Sequence, residues 1–376
     1  MSSAPNLNFS HLSGQNLQLM GISGPYSLRR GGVLPAVEIA YETWGTLNPQ
    51  RDNAILLFTG LSPGAHAASS PADPNPGWWE YMVGPGKPID SQRYYIICVN
   101  SLGSCFGSTG PASINPETGK TYGAGFPEIT IEDIAGTAHA LLDNLGISRA
   151  HVVGASLGGM AALAYAILYR EAVISLVSIS AAAAANAFAI GVRSVQRDMI
   201  LHDPAWQGGD YSPDAGPAMG MLLARKLGLL SYRATSEWDG RFGRATLDSG
   251  AESPWGKFGA EFQIQSYLDY NARKFIRQFD ANSYLYLSRA MDLFNAAEHG
   301  ASLTEALRAI AAQRVLIIGV DSDVLFPVSQ QQELARQLTD AGKQVRLQVI
   351  HSRHGHDAFL ADREQFSPVI AEFFSS

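Results

Sequence analysis

The sequence predicts an α/β fold: a mostly parallel sheet with helices on both faces, interrupted by a long helical insertion. Three observations predict it. Short, nearly all-apolar runs such as Ala54–Phe58 and Val173–Ile179 suit strands covered on both sides. These runs alternate with helical periodicity between residues 130 and 179 and again beyond residue 313, the spacing of parallel βαβ units. Between them, residues 184–301 carry no convincing strand pattern, only helical stretches with Trp, Tyr, Phe and Arg. The core is therefore expected over 1–183 and 302–376, with a helical lid at 184–301. A chain of 376 residues is long enough for one large domain of this kind.

The elements follow in order. Val37–Trp44, Ala54–Phe58 and residues 94–99 read as strands. Two long loops, 60–90 and 101–126, flank the third of these, and loops of that length inside a domain tend to be functional. Thr130 with Asp133 three residues on resembles a capping box. Ile131, Ile134, Ala138, Leu141, Leu142 and Leu145 then recur at helical spacing, and Gly146 supplies the stop. A short strand at 150–153 runs straight into Gly154-Ala-Ser156-Leu157-Gly158-Gly159-Met160 and an Ala-rich helix to about Tyr169. After the insertion, Arg314–Val320 is a strand, 328–341 an amphipathic helix, 345–350 a strand, and 358–374 largely helical.

Composition excludes several function classes. With 27 Lys+Arg against 34 Asp+Glu, the net charge of −7 argues against a nucleic-acid or anionic-membrane partner. Charged residues make up 16% and hydrophobic ones 46%, which rules out a disordered chain. Cys98 and Cys105 form neither a disulfide framework nor a zinc pattern, and read as reduced thiols in a cytoplasmic protein. The N-terminal MSSAPNLNFSHLSGQ has neither the basic start nor the apolar run of a secretory leader. Residues 172–192 are uncharged over membrane-spanning length, but rich in Ala and Ser; they read as a buried strand and a helix.

The chemistry sits in three places. Gly154-x-Ser156-x-Gly158 lies between a strand and a helix, the context in which a serine is lifted clear of a sheet on a strained turn. The helix N-terminus adds a positive dipole there, and the Leu157 N–H can face a developing oxyanion. A serine hydroxyl needs a base, and the base an orienting carboxylate. The strand ending at Val320 is followed by Asp321-Ser322-Asp323, and the one ending at Ile350 by His351-Ser-Arg-His354-Gly355-His356-Asp357. Serine, acid and base thus arrive in order at one sheet edge, where such sheets bind ligands. Either Asp321 or Asp323 can be the acid, the other being a turn or cap residue. Among the histidines, His356 has Gly355 before it for a close approach, and His351 and His354 line the loop. The three histidines lack a further ligand at a recognised spacing, so no metal is expected. Thr118-Gly-Lys-Thr121 mimics a phosphate loop, but Ile114 stands where its first glycine is required.

The chain resembles the homoserine/serine O-acyltransferase family of α/β-hydrolase-fold enzymes over nearly its full length. The resemblance rests on Gly84-Pro-Gly-Lys-Pro-Ile-Asp90, on the stretch from Asn100 to Pro111, and on the Ser156 turn. It continues through Val195-Gln-Arg197, Gly240-Arg-Phe-Gly-Arg244, Phe279-Asp-Ala-Asn-Ser-Tyr284, Ser322-Asp-Val-Leu-Phe-Pro327 and Gly355-His-Asp357. It implies Ser156 as nucleophile, Asp323 rather than Asp321 as the acid, and His356 as base. It further implies an oxyanion hole from the Leu157 and Phe58 amides. An acceptor amino acid is expected on Arg225, Tyr232 and Asp357, since a zwitterion needs a cation and an anion at fixed separation. Acyl-CoA is then a co-substrate, with no resident cofactor, no membrane partner and a homodimeric state. The stretch Leu61-Ser-Pro-Gly-Ala-His-Ala-Ala-Ser-Ser70 and Gly103-Ser104-Cys105, where homoserine branches carry Gly-Gly-Cys, resemble the serine-acylating branch. A side chain at Ser104 would shorten the acceptor pocket by about one methylene, worth ~1–3 kcal/mol of discrimination. The implied reaction is succinyl transfer from succinyl-CoA to L-serine. Homoserine as acceptor, acetyl as donor group, or plain hydrolysis are the alternatives. Leu325, where succinyl-using homoserine enzymes carry arginine, and Leu56-Leu-Phe-Thr-Gly60, altered from the family's oxyanion turn, leave the donor open.

Overall fold

The computed structural model describes residues 16–212, 214–247 and 256–375; the N-terminal stretch inspected for a leader lies outside them. Strands β1 (Gln18–Ile22), β2 (Val37–Trp44), β3 (Ala54–Phe58), β4 (Tyr95–Val99), β5 (Ala150–Ala155), β6 (Val173–Ile179), β7 (Arg314–Val320) and β8 (Gln344–Ile350) form one eight-stranded sheet. Its order is β1-β2-β4-β3-β5-β6-β7-β8. β2 runs antiparallel to β1 and β4, and all other pairings are parallel.

The apolar runs divide between two cores, one on each face. In β3, Leu56 and Phe58 join the core under α1 (Ile131–Asn144) and α2 (Leu157–Leu168). Ile55 and Leu57 face the other way, into the core that Phe366, Ile370 and Phe373 of α11 (Arg363–Ser375) help to fill. β1 escapes notice in the sequence because only its Met20 is buried, so no run or alternation marks it. The capping box of α1 is present: Thr130 N–H donates to Asp133 Oδ2 at 2.8 Å, and Asp133 N–H to Thr130 Oγ1 at 3.2 Å. Gly146, at φ 67°, ends the helix as expected.

Between β6 and β7 lie α3 (Ala187–Leu201), α4 (Ala218–Tyr232), α5 (Thr235–Arg241), α6 (Gln263–Phe275) and α7 (Ala281–Leu293). α3 packs on α4 and α7, and α4 on α6. The two ends of this helical segment meet, because Ala184 bridges Asn295 and the Ala296 N–H donates to Ala183 O at 2.8 Å. α8 (Leu303–Arg308) packs on α9 (Val328–Asp340), on the sheet side of that junction, and α10 (Ala358–Ala361) precedes α11. Residues 172–192 divide between β6 and the start of α3, and among the described residues no helix is long and apolar enough to cross a membrane.

The 60–90 loop is anchored rather than slack. Glu42 of β2 is wholly buried and receives His66 Nδ1 at 2.9 Å, while His66 Nε2 meets Asn75 O at the same distance. The hydrogen bond to Glu42, opposed by burial and helped by Asn75, pushes His66 up to about 9, so both ring nitrogens are donors.

Candidate active site

The Ser156 turn needs each of its glycines. Ser156 adopts φ 57°, ψ −125°, a conformation that costs a non-glycine residue of order 1–3 kcal/mol. A Cβ on Gly154 would sit 2.0 Å from Gly158 O, and one on Gly158 2.5 Å from Phe58 O. The strand therefore passes into α2 with backbone against backbone, and the serine hydroxyl stands at the sheet edge.

His356 Nε2 lies 2.8 Å from Ser156 Oγ, and His356 Nδ1 2.7 Å from Asp323 Oδ2. Asp323 Oδ1 accepts from the Leu325 and Phe326 amides at 2.9 and 3.0 Å, which fixes the carboxylate in its loop. Ser322 joins the two loops, its hydroxyl donating to Ser352 O and accepting from the Gly355 N–H. The Phe326 ring stacks on His356 at 5.3 Å, and Phe359 meets it edge-on. Burial disfavours the imidazolium, but the Asp323 charge and hydrogen bond, with Asp357, outweigh it and hold His356 above its ordinary value. Asp321 is elsewhere occupied: it pairs with the exposed His351 at 2.9 Å. His354 pairs with Glu237 at 3.1 Å, so the three histidines face three different carboxylates.

A cavity of about 220 Å³ opens over Ser156 and His356. Leu61, Pro63, Trp78, Met291, Leu325 and Phe359 give it an apolar lining, and Arg193, Tyr232, Tyr284 and Asp357 its polar points. Arg193 is a residue that sequence reading missed, although it stands two positions before the Val195-Gln-Arg197 stretch that carries part of the resemblance. It is 6% exposed; its Nε donates to Asp292 Oδ1 at 2.5 Å, and Arg197 Nη2 lies 2.7 Å from Asp292 Oδ2. Among the described residues, Arg193 Nη2 is buried with no protein acceptor. Buried donors are usually hydrogen-bonded, so a donor on the wall of this cavity can serve an acceptor placed inside it.

The remaining expected residues fall into place unevenly. Tyr232 lines the cavity, its ring 5.9 Å from that of His356, and burial raises its hydroxyl. Arg225 is one layer back, its guanidinium 4.2 Å from the Phe275 ring centre and 5.6 Å from that of Tyr232. Its Nε is likewise buried without an acceptor, and among the described residues it forms no ion pair. Leu157 opens α2, where first-turn amides have no intrahelical acceptor. The Phe58 side chain is buried against Tyr165, and the Phe58–Thr59 backbone lies against Gly158, while Gly60 and Leu61 reach the cavity wall. Ser104 is 2% exposed and lies off the cavity wall.

Known proteins share this architecture. Residues 53–360 match the family model of the alpha/beta hydrolase fold. A serine O-succinyltransferase of Litchfieldella anticariensis is 56% identical over 94% of this chain and 97% of its own. An L-serine/homoserine O-acetyltransferase of Streptomyces lavendulae is 51% identical over 93% of this chain and 95% of its own. Among solved structures, a homoserine O-acetyltransferase of Bacillus anthracis superposes with a TM-score of 0.87 at 30% identity, covering 96% of this chain and 98% of that one.

Proposed function

This chain belongs to the homoserine/serine O-acyltransferase family of the α/β-hydrolase fold, and from that premise we propose that it transfers a succinyl group from succinyl-CoA to the hydroxyl of L-serine. The observation that carries the choice of substrates is the charge around the cavity. Arg193 and Arg197 share one carboxylate, Asp292, which leaves one positive charge in excess. Arg225 adds a second. Asp357 and Glu237 share one guanidinium, Arg233, which leaves one negative charge. Arg193 on the cavity wall and Arg225 one layer behind it offer guanidinium groups to the two carboxylates of a succinyl group and an amino acid, and Asp357 on the wall offers an anion to the ammonium. An acetyl donor would leave one guanidinium unanswered.

The reaction then runs in two steps. His356 takes the Ser156 proton as Oγ attacks the thioester carbonyl, and the oxyanion meets the Leu157 amide, with Phe58 as the expected second donor. The tetrahedral species collapses, the C–S bond breaks, and CoA leaves with the proton from His356. The product is a succinyl ester on Ser156. The hydroxyl of L-serine, held through its carboxylate by Arg225 and through its ammonium by Asp357, then gives its proton to His356 and attacks that ester. Collapse returns the proton to Ser156 Oγ and releases O-succinyl-L-serine. Succinyl-CoA is thus a co-substrate, consumed in the first step, and Asp323 keeps the imidazole in one tautomer.

Acetyl transfer is the rival, favoured by the neutral Leu325 on the cavity wall and by the Streptomyces relative. A CoA-release assay crossing succinyl- and acetyl-CoA with L-serine and L-homoserine decides it. The expected result is the highest kcat/KM for succinyl-CoA with L-serine. A higher value for any other pair overturns the reading, and CoA release indifferent to the amino acid would make the protein a hydrolase. The two buried cysteines, both free, suit a reducing cytoplasm. A second copy of the chain is proposed to cover Phe188 and Val195 of α3 with Met219, Leu223 and Leu230 of α4, all exposed apolar side chains. Leu223→Glu should then halve the mass seen by light scattering, and an unchanged mass would place the interface elsewhere.

A further inference from the structure

We propose that Arg233 is the positioning residue for the acceptor amino acid: it fixes Asp357 by an ion pair that Glu237 in turn holds in place. The proposal rests on the reading of Asp357 as the ammonium anchor. Arg233 directly follows Tyr232, where α4 ends and the chain turns extended at φ −122°, ψ 151°. Its Nε donates to Asp357 Oδ2 at 2.9 Å. Its Nη1 donates to both oxygens of Glu237, at 2.8 and 3.1 Å. Glu237, in the first turn of α5, is 5% exposed and also meets His354 Nδ1.

The same junction is tight in its backbone. A Cβ on Gly355 would lie 2.7 Å from Tyr232 O and 2.9 Å from Arg233 Cα, so the loop carrying His356 and Asp357 rests directly on the end of α4. Gly355 has φ 60°, the left-handed region that only glycine adopts without strain. Arg233 therefore links the helical segment that brings Arg225 and Tyr232 to the loop that brings the base and the ammonium anchor.

Two physical consequences follow. With Oδ2 taken by Arg233, Asp357 keeps Oδ1 for a cation in the cavity that it lines, and the carboxylate is held in one orientation before substrate arrives. Because Glu237 shares the guanidinium, the pair is not neutralised: two carboxylates on one Arg leave the net negative charge that attracts an ammonium. Arg233 acts on the second half-reaction only. The acyl donor, which carries no ammonium, has no use for this arrangement.

The test separates the half-reactions in the full-length enzyme. Acylation is read as the burst of CoA released from succinyl-CoA without acceptor, and transfer as the dependence of turnover on L-serine. For Arg233→Gln the KM for L-serine should rise about tenfold or more, the loss of one charge-assisted contact, while the burst rate changes less than about threefold. Arg233→Lys should recover part of the KM, since it restores the charge but not the fork that spans Asp357 and Glu237. An unchanged KM, or burst and transfer falling by the same factor, overturns the proposal. Should Arg233→Gln fail to fold, Glu237→Gln, which keeps the shape, is read in the same way, with a smaller rise in KM as the expected result and none as the refutation. Wild-type enzyme that gives no burst, or whose turnover L-serine does not increase, defeats the acyltransferase reading and this proposal with it. A normal wild type with an unshifted variant defeats the role of Arg233 alone.

Discussion

Replacing Arg193 by Gln separates the donor readings. The change removes the guanidinium whose Nη2 is buried without a protein acceptor, yet leaves Asp292 paired with Arg197 at 2.7 Å. The fold should therefore survive, since no carboxylate is stranded. A hydrogen bond to a charged group contributes about 1.5–3 kcal/mol, and each ~1.4 kcal/mol is tenfold. If Nη2 holds the succinyl carboxylate, kcat/KM for succinyl-CoA should fall about 10- to 150-fold. Acetyl-CoA has no carboxylate at that position, and its kcat/KM should change less than about threefold. The assay is thiol release, followed with each donor at saturating L-serine, with a thermal melt of each protein as control. Equal losses with both donors would refute the reasoning, because Arg193 would then be holding the site together rather than the donor. A loss confined to the KM for L-serine would refute it as well, by assigning Arg193 to the acceptor carboxylate.

Three further outcomes rest on the same geometry. Because Asp323 and Asp357 hold His356 above its ordinary value against the effect of burial, kcat/KM for the wild type should be lost as pH falls through an inflection above about 6.5, where the base becomes protonated. Asp323→Asn should move that inflection down and lower the plateau by about 10⁴-fold; an unmoved inflection in a pH–rate profile would assign the base elsewhere. Gly158→Ala should destabilise by about 1–3 kcal/mol or more, since its Cβ would meet Phe58 O at 2.5 Å, and an unchanged melting temperature would contradict the packing of the turn. His66, raised to about 9 chiefly by Glu42, contributes stability that is complete below its ordinary value near 6.5 and lost as pH rises through about 9. Wild type should exceed His66→Gln by about 1–3 kcal/mol at pH 6 and by little at pH 10, and a gap independent of pH in chemical denaturation would rule the ion pair out.

The parts of this molecule legible in its sequence are those where local physics is strong. Buried strands with both faces covered leave continuous apolar runs, so β3, β6 and β7 stand out, whereas β1, an edge strand with one buried residue, leaves no pattern. Thr130 and Asp133 advertise their capping box because both partners lie within one turn. Ser156, an acid and a base stand out because each follows a strand at the same sheet edge in chain order, but that order leaves Asp321 and Asp323 open, and only the family resemblance separates them. Arg193 could not be found that way. It sits on the inner face of an amphipathic helix, where an arginine reads as a solvated side chain, and only the packing of α3 on α7 shows it buried against Asp292. Ser104 is the converse case: a motif difference says which residue changed, not how far its side chain stands from the cavity, and this one is buried off the cavity wall.

A serine, a histidine and an aspartate in this geometry are equally suited to hydrolysis, so transfer has to come from the acceptor side. Water needs no anchoring and is always present, and an acyl-Ser156 ester open to it would simply be lost. An acceptor hydroxyl wins when binding makes its attack intramolecular, and well-oriented groups gain effective concentrations on the order of 10⁵ M or more. In the proposed reading the acceptor is oriented because its two charges meet groups on different elements: Arg225 on α4 and Asp357 on the loop after β8. Those elements are locked together by Gly355 against Tyr232 and by Arg233 against Asp357. The apolar cavity wall, Leu61, Trp78, Leu325 and Phe359, offers water few partners near the ester. On that reading, selectivity for transfer resides less in the three proposed reacting side chains than in the joint between α4 and the histidine loop. Loosening that joint should raise the fraction of acyl-enzyme lost to water before it slows acylation.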